Sequence, residues 1–218
     1  PIASWGSGPV ASCPRRSPAP RHARPDRSPV AVATVGGAMG ALGYTLFDTA
    51  VGRCGVAWGE RGLIAVGLPE GRDAATCARL VRHAVGAREL PPPPAVRAAI
   101  DGIVALTAGA AVDLSGVALE LDRVAAFERG VYELARTIPA GATTTYGALA
   151  DRLGAGPGAA RAVGRALGRN PWPIVVPCHR VVAAGGRLGG FSARGGTGTK
   201  LRLLEIERAH ADPGLTLF

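Results

Sequence analysis

The sequence predicts a mixed α/β (α+β) chain: a small N-terminal α/β domain with a short sheet over residues 39–122, then a mostly helical domain over residues 123–208. Three observations carry that reading. Residues 44–70 (YTLFDTAVGRCGVAWGERGLIAVGLPE) are apolar runs of strand length broken by glycine-containing turns. From residue 123 onward, apolar positions fall at helical spacing instead. Two of those helical runs are joined by the tight turn Gly154-Ala155-Gly156, the pattern of a helix-turn-helix.

Residues 1–38 carry no apolar periodicity and are rich in Pro, Arg, Ser and Gly (PRRSPAPRHARPDRSP). Such a segment cannot bury enough surface to offset its ordering entropy, so it reads as a disordered extension. Its Arg and Ser content also suits a transit peptide, but the proline density spoils the amphipathic helix. Met39, the only methionine, immediately precedes the first foldable sequence. Two readings stay open: a tail of the protein, or sequence upstream of the true start. Two or three short strands then fill residues 44–70. A helix comes next near Ala74–Val85, with Ala78, Val81 and Val85 at helical spacing. Pro91–Pro94 make a stiff break before a helix around Ala95–Leu106. Residues 111–122 (AVDLSGVALELD) lead out as an extended segment. Nothing here looks like an active site, and Cys54 and Cys77 read as packed small hydrophobes.

In the second domain, Phe127, Val131, Leu134, Ala135 and Ile138 mark one face of a helix, stopped by Pro139-Ala140-Gly141. TTTYGALADRLG then gives a Thr-capped helix with Tyr146, Leu149, Ala150 and Leu153 on one side. After the glycine turn, Pro157 suits the first turn of a second helix, GAARAVGRALGRN. That helix aligns Arg161, Arg165 and Arg169 on one stripe and lets Ala160, Val163 and Leu167 face the core. A basic stripe is commonly just a solvated face. This one is interleaved with Gly158, Ala159, Ala162 and Gly164, small residues that let a backbone approach a narrow surface such as a minor groove. Residues 209–218 form a C-terminal tail.

Charge and cysteine usage narrow the function classes. Residues 1–38 carry five Arg and one Asp, and residues 39–122 seven Arg against nine acids. Residues 123–218 carry thirteen Lys or Arg against six acids, a balance of +7. A basic segment of that size suits a polyanion surface, because each neutralised phosphate releases condensed counterions. The alternative is compositional bias, since every basic residue except Lys200 is Arg. No stretch approaches the roughly 18–20 uninterrupted apolar residues needed to span a bilayer. The four cysteines lack a CxxC pair and the four histidines lack metal-ligand spacing. A secreted disulfide scaffold is therefore disfavoured, free thiols in a reducing compartment are expected, and no metal is expected.

The most informative stretch is PWPIVVPCHRVVAAGGRLGGF, directly after Asn170. The apolar run Ile174–Val176 delivers the chain into Pro177-Cys178-His179-Arg180. A thiol is only a few per cent thiolate near neutrality, so a neighbouring base and nearby positive charge are what a reactive cysteine needs. A Cys-His dipeptide alone is a weak signal. Its surroundings make it specific: IPAGATTTYGALA, GAARAVGRALGRNPWPIVVPCHRVV, GRLGGF and GGTGTKLRLLEIE occur in this order. With these pieces the chain resembles the O6-alkylguanine-DNA alkyltransferases (methylated-DNA–protein-cysteine methyltransferases) over about residues 123–208, and more loosely before them.

The resemblance implies a winged-helix-like DNA-binding domain and a suicide methyltransferase. Cys178 would accept an alkyl group from O6-alkylguanine in double-stranded DNA, with O4-alkylthymine a second candidate substrate. His179 would take the thiol proton through a water, and Glu207 would orient that histidine. Glu205 is a rival, but its spacing from Lys200 fits less well. Asn170 would hold the turn between recognition helix and active-site loop, and Tyr146 would bond the extruded guanine. Arg161 would enter the base stack where the flipped nucleotide was, and Arg165, Arg169, Ala159 and Ala162 would face the DNA. Tyr146, Val181, Phe191 and Ser192 would line the pocket. The resemblance further implies a cytosolic monomer with no cofactor and no membrane partner. Three features depart from relatives: Phe191 stands where many have Tyr, Ser192-Ala193-Arg194 makes the loop before Gly195-Gly196 longer than in some, and the first domain lacks the cysteine and histidine pattern that binds zinc in some animal relatives. Competing readings are a lesion-binding protein of the alkyltransferase-like type, which Cys178 argues against, a helix-turn-helix transcription regulator, and a Cys-His thiol hydrolase.

Overall fold

A computed structural model describes residues 30–31, 41–156 and 158–208. Strands β2 (Gly43–Thr49) and β3 (Gly52–Trp58) form an antiparallel hairpin in the register Gly43↔Trp58 to Thr49↔Gly52. Gly52 closes its turn at φ +116°, a conformation that strongly favours glycine. β4 (Leu63–Gly67) adds antiparallel to β3, and β5 (Arg88–Glu89) adds parallel to β2, so the sheet order is β4-β3-β2-β5.

The sheet is covered on both faces. Helix α1 (Asp73–His83) places Leu80 against Ala57, Ile64 and Ala65. On the other face Val56, Trp58, Leu63 and Val66 meet Val96, Ile100 and Ile103 of α2 (Pro94–Thr107). Burial on both sides explains why β4 reads as a continuous apolar run with no alternation. β6 (Val112–Asp113) pairs in parallel with β1 (Val30–Ala31). This corrects part of the disordered reading of residues 1–38. The β-prone Pro-Val-Ala-Val stretch at 29–32 lies after the proline- and arginine-rich composition that governed that reading. The rest of that segment, and the tail expected at 209–218, fall outside the described residues.

The C-terminal part packs α3 (Ala126–Arg136), α4 (Tyr146–Arg152) and α5 (Ala160–Gly168) onto the same contiguous core. The buried face of α3 is Val131, Tyr132 and Ala135, while Phe127 is 38% exposed. The face is thus rotated from the one periodicity predicts; Tyr132 takes the inward position, its hydroxyl donating to the Ala166 carbonyl at 2.9 Å. Thr145 caps α4 by accepting from Ala148 N at 3.1 Å, a contact worth about 1 kcal/mol. α5 begins at Ala160, three residues later than Pro157 suggests. Gly158 sits at φ +82°, left-handed backbone that a right-handed helix cannot include. Pro157 itself is outside the described residues.

Two short elements hold the Cys178 turn in place. β7 (Thr144–Thr145) pairs in parallel with β8 (Val181–Val182), which brings the start of α4 beside the residues after Cys178. α6 (Thr197–Arg208) then packs back across the turn Cys178–Arg180.

Candidate active site

The turn that carries Cys178 is fastened from below. Trp172 is fully buried, stands edge-on to Tyr132 at 5.8 Å, and donates from Nε1 to the Leu63 carbonyl of β4 at 2.8 Å. Val66 N donates to the Pro171 carbonyl at 2.8 Å, so the Asn170–Pro173 turn docks directly on the sheet. Asn170, 7% exposed, clamps this turn: Nδ2 donates to the Val176 carbonyl at 2.9 Å and Oδ1 accepts from Trp172 N at 2.9 Å. Between these two tie points Ile174 holds φ +75°, the single non-glycine positive φ among the described residues. A β-branched residue there is strained, and the clamp on either side sustains it.

Cys178 opens a single turn of tight helix and is 7% exposed. It lines an open cleft of about 840 Å³ together with Tyr146, Arg161, Arg165, Phe191 and Ser192. Burial pushes the Cys178 thiol up, while the Asn170 amide and the Lys200 charge pull against that rise.

Behind the cysteine lies a buried ionic cluster. His179 Nε2 is 2.8 Å from Glu207 Oε1. Arg180 binds the same carboxylate twice, Nη2 to Oε1 at 2.7 Å and Nε to Oε2 at 2.9 Å, and donates from Nη1 to the Ile138 carbonyl at 2.5 Å. Gly141 N adds a bond to Oε2 at 3.4 Å. Burial alone would raise the Glu207 carboxyl, but His179 and then Arg180 hold it down at about 2. An ionised carboxylate only accepts, so in neutral His179 the Nε2 carries the hydrogen and Nδ1 keeps its lone pair. Nδ1 is buried and makes no hydrogen bond among the described residues. Glu205, by contrast, is exposed.

Across the cleft, Tyr146 is held by Gly189, where a Cβ would fall 3.0 Å from its ring and hydroxyl. Lys200 is fully buried; it donates to the Val181 carbonyl at 2.6 Å and to the Tyr146 hydroxyl at 3.4 Å. Burial lowers the Lys200 ammonium to about 8, and burial raises the Tyr146 phenol.

The residues singled out in the sequence are distributed unevenly. Cys178, Tyr146, Phe191, Ser192, Arg161 and Arg165 share the cleft. Ala159 and Ala162 are half-buried along α5, and Ala160 lines the cleft where an inward position was expected. Arg169 is exposed and caps the C-terminal end of α5, away from the cleft wall. Val181 is a correction: it is fully buried and outside the lining, because its strand pairing with Thr144 turns it into the core. Two residues escape sequence reasoning. Lys200 carries a signal, being the one lysine among 25 basic residues. Arg180 carries only its place in the PCHR run.

The chain is similar to known proteins over much of its length. The family described as 6-O-methylguanine DNA methyltransferase, DNA binding domain, matches residues 126–209. A methylated-DNA–protein-cysteine methyltransferase of Mycobacterium tuberculosis is 47% identical over 129 residues, 59% of this chain and 74% of that protein. Its counterpart in Methanothermobacter thermautotrophicus is 35% identical over 153 residues, 70% of this chain and 78% of that protein. The solved structure of Mycobacterium tuberculosis OGT in complex with DNA is similar with a TM-score of 0.59 and 34% identity, covering 80% of this chain and 98% of that one.

Proposed function

Because the chain belongs to the methylated-DNA–protein-cysteine methyltransferase family, we propose that it repairs DNA by moving an alkyl group from O6 of guanine onto Sγ of Cys178, once per molecule. The observation that carries this reading is the placement of Cys178. Cys178 lines a cleft walled by α5, next in sequence to a histidine paired with a buried glutamate, and shares that cleft with a tyrosine supported by a lysine.

Each group has a task that its surroundings suit. The Nδ1 lone pair of His179 takes the thiol proton through an intervening water, and the ionised Glu207 stabilises the imidazolium that results. The thiolate attacks the alkyl carbon; a C–S bond forms, the C–O6 bond breaks, and its electron pair leaves with the guanine. Tyr146 accepts a hydrogen bond from Lys200, so its own O–H remains to donate to the departing base. The product is a thioether, which nothing in the site hydrolyses, so the protein is consumed.

A guanine O6 inside a duplex offers no path for in-line attack, so the nucleotide is rotated out into the cleft. α5 carries the surface for this step. Arg161 and Arg165 are exposed and line the cleft, Ala162 and Gly164 keep the helix slim between them, and Ala159 does the same at its start. Arg161 fills the vacated stack, which offsets part of the few kcal/mol that unstacking costs.

Incubation with duplex DNA containing O6-methylguanine, then intact-protein mass, tests the reading. The expected result is a gain of one methyl group, localised to the peptide with Cys178. Tight lesion binding without a mass change would instead indicate a non-catalytic lesion-binding protein.

A further inference from the structure

The cleft wall formed by Phe191 and Ser192 belongs to a loop with glycines at 189, 190, 195 and 196. Glycine-rich chain loses more conformational entropy on ordering than any other, so such a wall depends on its tethers. At its start Gly189 lies against the Tyr146 ring. At its end Ala193 is buried, Gly196 N donates to the Ala193 carbonyl at 2.9 Å, and Thr199 Oγ1 donates to the Arg194 carbonyl at 2.6 Å.

One further tether crosses to the N-terminal part. Arg194 Nη1 donates to the Glu70 carbonyl at 2.8 Å, over a sequence separation of 124. The guanidinium also lies close over Gly71: a Cβ built there would be 2.9 Å from Arg194 Cζ and Nη1 and 3.2 Å from Nη2. Gly71 has φ +84°, so its backbone and its lack of a side chain both favour this approach. The receiving carbonyl is itself held, since Glu70 N donates to Thr76 Oγ1 at 3.2 Å and the Glu70 carboxylate pairs with Arg79 at 3.0 Å. Arg194 is exposed, so nothing in its own burial demands the contact.

We propose that Arg194 is a positioning residue for alkyl transfer: by gripping the Glu70 carbonyl over Gly71 it fixes the Phe191–Ser192 wall, and so lets the N-terminal part set the fit of the flipped base. This inference rests on the alkyl-transfer reading above.

The test compares the wild type with Arg194→Ala, Arg194→Lys, Gly71→Ala and the Arg194→Ala/Gly71→Ala double variant. Transfer rates are measured against concentration for methylated duplex and for free O6-benzylguanine, with alkylation of Cys178 by iodoacetamide as a control. Arg194→Ala is expected to raise the half-saturating concentration of both substrates about three- to tenfold, the worth of one hydrogen bond. Its maximal rate and its iodoacetamide reaction should be unchanged. Arg194→Lys, which still donates to Glu70, should recover most of the loss. Gly71→Ala should reproduce it, and the double variant should be no worse than the singles. Wild-type kinetics in Arg194→Ala, additive losses in the double variant, or a parallel loss of iodoacetamide reaction would overturn the proposal. A wild-type protein that takes up no alkyl group would overturn the underlying reading instead.

Discussion

Glu207 Oε1 lies 2.8 Å from His179 Nε2, with the two side chains only 2% and 0% exposed, and Arg180 grips the same carboxylate from the other side. The carboxylate thus balances the Arg180 guanidinium and holds the His179 ring at once. Burying one charge beside one partner rarely stabilises a protein by itself. The arrangement makes better sense as a device that fixes which histidine nitrogen carries the hydrogen.

Glu207→Gln separates these two roles. The amide keeps the size of the side chain but no longer enforces one tautomer, so transfer should slow about tenfold or more while methylated duplex is still bound. The stability signature has a definite sign. The folded carboxyl sits at about 2, below its ordinary 4.5, so its contribution is complete above pH 4.5 and is lost as pH falls toward 2. That contribution is on the order of 3 kcal/mol. Denaturant midpoints measured across this interval should fall steeply for the wild type and more gently for Glu207→Gln. Matching slopes, or an unchanged transfer rate, would refute the assignment.

Cys178→Ser addresses stoichiometry. Since a thioether cannot be released by any group in the site, methyl uptake by the wild type should plateau at one per protein however long the reaction runs. The serine variant should bind duplex and take up nothing. Sustained turnover would rule out a single-use acceptor, and methyl uptake by the serine variant would rule out the need for the Cys178 thiol.

Burial pushes the Cys178 thiol up, and the Lys200 charge, after the Asn170 amide, pulls against that rise. Lys200→Met should move the iodoacetamide rate profile of Cys178 to higher pH, because the ammonium that favours the thiolate is gone. Lys200→Arg should restore part of the shift. Stability again gives a signed readout. Burial lowers the folded ammonium from 10.5 to about 8, so the group opposes folding below pH 8, and this penalty vanishes as pH rises to 10.5. The wild type should therefore gain on Lys200→Met over that interval. A profile that does not move would show that Lys200 only fills space.

How far the sequence reveals this site depends on the range of each interaction. Cys178, His179, Asn170, Tyr146 and Glu207 sit in the runs that carry the family resemblance, and their proposed roles come from that resemblance rather than from local spacing. The helices are legible from periodicity, but the start of α5 is not: Gly158 takes left-handed backbone, and a helix pattern cannot show where a glycine turns the chain. Phe127 and Tyr132 exchange places because both are aromatic and periodicity alone does not rank them. Val181 reads as a pocket residue because its pairing with Thr144 is a long-range fact. Arg180 and Lys200 are hidden for a similar reason. A charged residue in sequence looks like surface, and only its contact with Glu207, or with Val181 and Tyr146, shows why it can be buried.

The role of Arg161 can be separated from plain electrostatics. Arg161, Arg165 and Arg169 are all exposed on α5 or its cap, so a uniform basic face would make their replacements alike. Their positions differ, however. Arg161 and Arg165 stand at the cleft that holds Cys178, whereas Arg169 lies past the helix end. A side chain that fills a vacated base stack matters only when a base must be flipped. Arg161→Ala should therefore slow repair of methylated duplex strongly and leave reaction with free O6-benzylguanine nearly unchanged. Arg165→Ala and Arg169→Ala should chiefly weaken duplex binding, each lowering its salt slope by up to about one unit. Transfer rates for the three variants, measured side by side on duplex and free base, decide the matter. Equal losses for all three on duplex would reduce Arg161 to a phosphate contact, and an equal loss for Arg161→Ala on both substrates would place its effect in the pocket and not in the DNA.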